Sequence, residues 1–279
     1  MSTATVRRDG ERLEWRAYVG EVAVGAATAH AGSAHDARFV RLSVEPRFRH
    51  CGIGGDLLDA MCVVLRATGC VTIEAIAIAG SDGSAFARRI GATVGDELAD
   101  DVLEFAALDR LRLEALRVPP AGYGVRSWTG LPPDDLVDSY AAAKLAIADA
   151  PNNYAPRVPA WSAALVRQAQ EARAGRGAAL WVEAAVPTGT NVVAAFTEIE
   201  VIETKTAANQ VDTVVLRDHR RRGLATTVKA ALLLRLHAAR PDLLTVGVTC
   251  GVSNVGMRAV NHRLGFREEQ RRTLYRLML

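Results

Sequence analysis

Two short stretches of this chain repeat one pattern, and the repeat limits what the chain can fold into. Residues 42–54 read Leu-Ser-Val-Glu-Pro-Arg-Phe-Arg-His-Cys-Gly-Ile-Gly, and residues 213–225 read Thr-Val-Val-Leu-Arg-Asp-His-Arg-Arg-Arg-Gly-Leu-Ala. Each is a β-type run, then a charged turn, then Arg-x-x-Gly-x-(Gly/Ala) opening an apolar helical pattern. Arg49, Gly52 and Gly54 in the first copy correspond to Arg220, Gly223 and Ala225 in the second. Small residues let the backbone approach a ligand closely, and the unpaired N–H groups of a helix start point at an anion. A duplicated anion cradle implies two related domains.

A length of 279 residues accommodates two domains of ordinary size. Hydrophobic content of 49% with 23% charge describes a folded globular chain and not a disordered one. No apolar run approaches a membrane span and residues 1–10 carry no signal-peptide core, so a cytoplasmic protein without membrane attachment is expected. The four cysteines (51, 62, 70 and 250) have neither zinc-ligand nor disulfide-framework spacing, and no metal is expected. Residues 1–118 carry 14 Arg and 17 Asp+Glu, whereas 119–279 carry 20 Lys+Arg and 14 Asp+Glu. The second half is therefore the better anion host, while the overall charge of +3 is too weak to argue for nucleic acid. Arginine outnumbers lysine by 31 to 3, which looks like a GC-rich genome and not a binding surface.

Hydrophobic patterning gives both halves one order. In the first, strands are expected over 13–19 and 21–29, hinged at Gly20, and over 39–44; helix 53–68 stops at Gly69; strand 71–77, helix 84–90 and strand 102–108 follow. Segment 109–117 reads as a connecting helix, and 118–124, with Pro119, Pro120, Gly122 and Gly124, as a linker. This divides the chain into an N-terminal domain, 1–117, and a C-terminal domain, 125–279. The second half opens with two extra helical stretches, 136–148 and 159–174. The earlier order then returns: strands 179–185, 192–202 and 211–216, helix 223–238, strand 244–249, helix 253–264 and strand 272–279. The fold class is α/β with a mixed sheet in each half, the first copy shorter.

Strand, Arg-x-x-Gly-x-(Gly/Ala) turn, helix, strand, helix and then Leu264-Gly265-Phe266 resembles the GCN5-related N-acetyltransferase superfamily, twice over and across nearly the whole chain. The tandem-domain members, such as the mycothiol synthase-like architecture, are the nearest likeness. The resemblance implies acetyl-CoA as cofactor and a small-molecule amine as acceptor. It implies that the cofactor arm pairs with the strand end before the turn, at Val214 and Val215 in the second domain and Ser43 and Val44 in the first. There a backbone N–H would polarise the thioester carbonyl. The diphosphate would lie on Arg220, Arg221, Arg222, Gly223, Leu224, Ala225 and Thr226, and in the first copy on Arg49, His50, Cys51, Gly52, Ile53 and Gly54. The run 217–222 is weighed against a solvated loop and a nucleic-acid patch. It fits diphosphate best, being short, glycine-closed and arginine-rich. His219 reads as a structural turn residue.

The family's last helix carries Asn near its start and often Tyr seven residues later. In the second domain these positions hold Asn254 and Asn261, placed with Met257 on one helix face; the first domain has Gly80 and Ala87. The first domain is therefore expected to be catalytically degenerate. Candidates for the general base are Glu198 and Glu200, which share a strand face, and Asp212; Tyr275 is a candidate acid in place of the missing tyrosine. Each acid equally suits anchoring the acceptor ammonium or a structural salt bridge, and Tyr275 suits a packed strand position. Trp161 and Tyr154 either line the acceptor pocket or pack.

The leading expectation is an acetyl-CoA-dependent N-acetyltransferase acting in the second domain. The alternative is a non-catalytic acyl-CoA-binding or regulatory protein. A dinucleotide-dependent oxidoreductase fails, because no Gly-x-Gly-x-x-Gly follows a strand near either cradle. The acceptor, the acyl-chain preference and pairing with a second copy stay open.

Overall fold

A computed structural model describes residues 4–8, 13–32, 36–150 and 160–279. Tyr154 and the start of the helix expected from 159 lie outside these residues. The chain forms two compact units. The first takes the described residues up to Glu97 together with Arg272–Leu279, and the second takes the described residues between Leu98 and Arg271.

In the first unit, strands β1 (Thr5–Arg8), β2 (Glu14–Val19), β3 (Val22–Ala31) and β4 (Ala37–Val44) form an antiparallel series. Helix α1 (Ile53–Ala67) returns the chain, so β5 (Thr72–Ile78) runs parallel to β4. The apolar stripe Leu57, Met61 and Leu65 of α1 buries against Trp15, Ala17, Val24, Val40 and Ile73. Helix α2 (Asp82–Arg89) starts at Ser81, whose hydroxyl accepts the Ser84 N–H.

The long strand β6 (Thr93–Glu104) passes from one unit into the other, contributing Leu98–Glu104 to the second. There follow α3 (Arg110–Leu116), β7 (Tyr123–Thr129), α4 (Val137–Leu145), α5 (Ala163–Ala174), β8 (Ala178–Pro187), β9 (Ala195–Ile202), β10 (Ala207–Val215), α6 (Leu224–Ala239), β11 (Thr245–Gly251), α7 (Val255–Arg263) and β12 (Arg267–Met278). In the second unit residues 98–104 of β6 pair antiparallel with β11, β11 runs parallel to β10, and β10, β9, β8 and β7 continue antiparallel. Residues on alternate sides of these strands feed two cores. Leu180, Val182, Ala184, Phe196 and Val214 pack under Leu136, Tyr140 and Val166 of the α4–α5 region. Ile199, Val201, Val246 and Leu103 pack under Leu232, Leu233 and Leu236 of α6.

The mixed α/β class and the extra helices of the second half are as the pattern implies. The closing strands differ. β6 and β12 run twelve residues each, where strands over 102–108 and 272–279 were expected. Their missing parts are rich in charge (Asp96, Glu97, Asp100; Arg267, Glu268, Glu269, Arg271), which masks the strand period. Residues 272–278 of β12 pair with β5 and so complete the first unit, with Arg276 reaching buried Glu74 at 2.9 Å. The segment 118–124 lies within the second unit, its last two residues already in β7.

Candidate active site of the second unit

The turn between β10 and α6 is built for an anion. A short 3-10 turn, Arg217–His219, is followed by Arg221 at φ 61° and Gly223 at φ 80°, both left-handed. A left-handed arginine is strained, and such strain gathers at functional sites. Gly223 is the N-cap of α6 and supplies no side-chain cap, and a Cβ there would meet nothing within 4 Å. Among the described residues, the first amide to fold back on the cap is that of Thr227, at 3.1 Å from the Gly223 carbonyl. The N–H groups of Leu224, Ala225 and Thr226 are thus available at the positive end of the helix. Arg221 and Arg222 are exposed beside them. Arg220 behaves differently. Its Nε donates to the Val215 carbonyl at 3.0 Å and its Nη2 to Asp149 at 2.7 Å, tying strand end to turn. His219 accepts or donates at Nδ1 with the Tyr123 hydroxyl, 2.7 Å away.

Above this turn the sheet opens. β10 pairs with β11 over Ala207–Asn209 alone, and continues along β9 to Val215. Its unpaired edge, 210–215, leads into the turn. The register against β9 shifts between Gln210 and Thr213, a bulge.

The first unit carries the same construction. β4 pairs with β5 over Ala37–Phe39 alone, His50 has φ 61° and Gly52 φ 89°. Arg49 Nε donates to the Val44 carbonyl at 3.1 Å and its Nη1 to Asp82 at 3.1 Å. Ser43 and Val44 end the strand, Cys51 is exposed with its thiol on the Arg49 carbonyl, and Ile53 and Gly54 open α1.

Solved structures repeat this architecture. A tandem GNAT protein from the clavulanic acid biosynthesis pathway, solved without acetyl-CoA, is 25% identical, with a TM-score of 0.76 over 95% of this chain and 82% of its own. A GCN5-related N-acetyltransferase from Sphaerobacter thermophilus is 17% identical, with a TM-score of 0.74 over 97% of this chain and 82% of its own. One from Kribbella flavida is 14% identical, with a TM-score of 0.59 over 90% and 85%. No family model and no curated protein matches the chain.

The chain has the GNAT fold, in tandem.

Within the second GNAT unit, the candidate acids occupy one face of β9 and β10, the face covered by α4 and α5. Glu198 is fully buried. Its Oε1 accepts from Lys144 Nζ at 2.6 Å and from the Tyr140 hydroxyl, while among the described residues its Oε2 has no hydrogen-bond partner. Burial pushes the Glu198 carboxyl above the usual range, with Lys144 pulling it back. Burial, and then Glu198, push the Tyr140 hydroxyl well above its ordinary value. Asp212 is more accessible than Glu198 and lies 3.3 Å from the same Lys144. Glu200 pairs with Arg173 of α5 at 2.9 Å. Lys144 also lies 4.9 Å from the Trp161 ring centroid and 5.3 Å from those of Tyr140 and Phe196. Trp161 thus packs over a buried ammonium.

Asn254 caps α7, its Oδ1 accepting the Met257 N–H at 3.2 Å. Asn261, on the same helix, is fully buried, and among the described residues both its amide atoms lack partners. Tyr275 belongs to the first unit, where its buried hydroxyl lies 2.6 Å from Ser84 Oγ.

Sequence reading missed Lys144, Tyr140 and Lys229. Lys229 of α6 is buried, bonded to Gln210 Oε1, and burial lowers it from 10.5 to about 7. A signal existed: in a chain with 31 Arg, two of the three lysines are flanked by apolar residues on both sides, at 144 (Ala-Ala-Ala-Lys-Leu) and 229 (Val-Lys-Ala-Ala-Leu).

Proposed function

We propose that the second unit is an acetyl-CoA-dependent N-acetyltransferase that acylates a primary amine of a small molecule. The observation that carries this reading is the opened β10 edge leading into a left-handed, glycine-capped helix start ringed by Arg217, Arg221 and Arg222. The residues fit the cofactor. The three free N–H groups of Leu224, Ala225 and Thr226 suit a diphosphate, and the space over Gly223 lets it approach the backbone. The unpaired edge ending at Val214 and Val215 suits an amide-bearing arm that adds like a strand. Buried Asn261, with amide atoms unpartnered among the described residues, is a polar group waiting for a ligand or water.

Bound acetyl-CoA supplies an activated acyl carbonyl. The chain's task is to orient it, polarise it by a backbone N–H of β10, and receive the proton of the attacking amine. Of the three candidate acids, Asp212 suits the last role best. It is partly accessible and lies in the bulge of the strand that bears the unpaired edge, whereas Glu198 is sealed and Glu200, on β9, is held more closely by its cation, Arg173 at 2.9 Å. Lys144 Nζ, 3.3 Å away, orients the Asp212 carboxylate.

The test is acetyl-CoA turnover against a panel of amines, comparing wild type with Asp212→Asn. A CoA-releasing activity reduced at least about hundredfold by the substitution supports the assignment, a loss in the range general-base catalysis contributes. An activity unchanged by Asp212→Asn removes Asp212 from the mechanism.

A further inference from the structure

The bulge of β10 is gripped from both faces of the sheet by a buried lysine. On the α4 side, Lys144 holds Asp212. On the α6 side, Lys229 donates to Gln210 Oε1, which leaves the Gln210 amide NH2 to donate to Thr213 Oγ1 and, at 3.2 Å, to Thr197 Oγ1. The two threonine hydroxyls are 2.8 Å apart, and Thr197 Oγ1 lies 3.4 Å from the Asp212 carbonyl. The relay therefore runs from α6 through Gln210 to both strands at the point where their register shifts.

Its direction is set at the lysine end. A charged ammonium can only donate, so Gln210 must present its oxygen to Lys229 and its NH2 to the threonines. A neutral amine also accepts, and then the amide can turn over and the relay reverse. The ionisable or charged groups facing Lys229 are Cys250 on β11 and Asp101 on β6. Beyond them on α7 lie His262, 3.9 Å from Asp101, and Arg258, which acts on Cys250. Phe266 supplies a ring 5.2 Å away.

We propose that Lys229 is a positioning residue for the acyl-CoA strand, holding the bulged segment Gln210–Thr213 in register through Gln210 and the Thr197–Thr213 pair. This rests on the acyl-CoA reading of the second unit. The absence of the device where no bulge exists supports it. In the first unit the β3–β4 register is unbroken, Ala27 faces Leu42 where Thr197 faces Thr213, and Leu58 stands at the position of Lys229. In a chain that uses arginine for 31 of its 34 basic residues, a lysine is kept here, and its compact, titratable head suits a relay in a closed interior.

The experiment is calorimetric titration of acetyl-CoA into wild type, Lys229→Met, Lys229→Arg and Thr213→Val across pH 6 to 8.5. Lys229→Met and Thr213→Val are expected to bind about five- to tenfold more weakly, the loss of one buried hydrogen bond. Wild-type affinity is expected to fall as pH rises through about 7, the value at which Lys229 loses its proton, and this inflection to vanish in Lys229→Arg. If Lys229→Met does not fold, Thr213→Val at the half-buried end of the relay decides. Variants that bind as tightly as wild type, with the same pH profile, overturn the positioning role while leaving the acyl-CoA reading intact. A wild type that does not bind acetyl-CoA overturns both.

Discussion

The two cradles share their backbone and differ in nearly everything attached to it. Both have a strand that leaves its parallel neighbour after three residues, an arginine tied to the strand's last carbonyl, and left-handed residues at matching places. In the first unit, however, Asp56 stands in the first turn of α1 and the Gly55 amide already folds back on Gly52 at 2.8 Å. In the second, the first turn of α6 has no acid, and three arginines surround it. Between splay and turn, β10 has one residue more than β4, and that residue is the bulge. The difference teaches that the turn is a property of the fold, kept wherever Arg-x-x-Gly recurs. On the proposed function, binding and chemistry rest on the free amides, the bulge and the buried polar groups that hold it.

The sharpest way to break this comparison is to remove a polar clamp that the second unit alone possesses. Lys144→Met leaves Glu198 buried without its cation, and we expect a loss of about 3–5 kcal/mol in the unfolding of the second unit, measured by denaturant titration. A loss near zero would mean that the cluster is not closed as described.

Next comes the pH dependence of stability. Lys229 titrates at about 7 in the fold against 10.5 in the unfolded chain, so between these values the unfolded state binds more protons and stability rises with pH. Below about 7 both states carry the proton and this contribution is flat. The expected slope is at most about 1.4 kcal/mol per pH unit across that window. Lys229→Met should abolish it, and a wild-type curve identical to the variant's would contradict the burial argument. The smallest effect is expected at Tyr275→Phe. Loss of the Ser84 contact should cost about 1 kcal/mol in the first unit, with acetyl-CoA binding unchanged. A large loss of binding or turnover would return Tyr275 to the active site.

Much of the fold was legible because its signals are local. The Arg-x-x-Gly turns, the stripe Leu57–Met61–Leu65 and the stop at Gly69 each act within one element. The strand ends at Val214 and Ser43 follow from the turns they precede. The assignment of residues 272–278 to the first unit was not legible, since a strand's partner is a long-range choice and Arg267–Arg271 conceal the strand's start. Glu198 and Glu200 were named for their shared strand face and Asp212 as a third candidate acid, but Lys144, which bonds both Glu198 and Asp212, was not named. A lysine inside an apolar helix reads as a surface residue until two strand carboxylates are placed opposite it.

The central claim is that one cradle of two serves the cofactor. Its most direct test is the stoichiometry of acetyl-CoA binding, by calorimetry, to wild type and to Gly223→Asp. The substitution places a carboxylate in the open space over the turn, at a φ of 80° that an aspartate side chain tolerates poorly. The account predicts one site per chain in wild type and none in Gly223→Asp. Two sites in wild type, or one that survives the substitution, would contradict it.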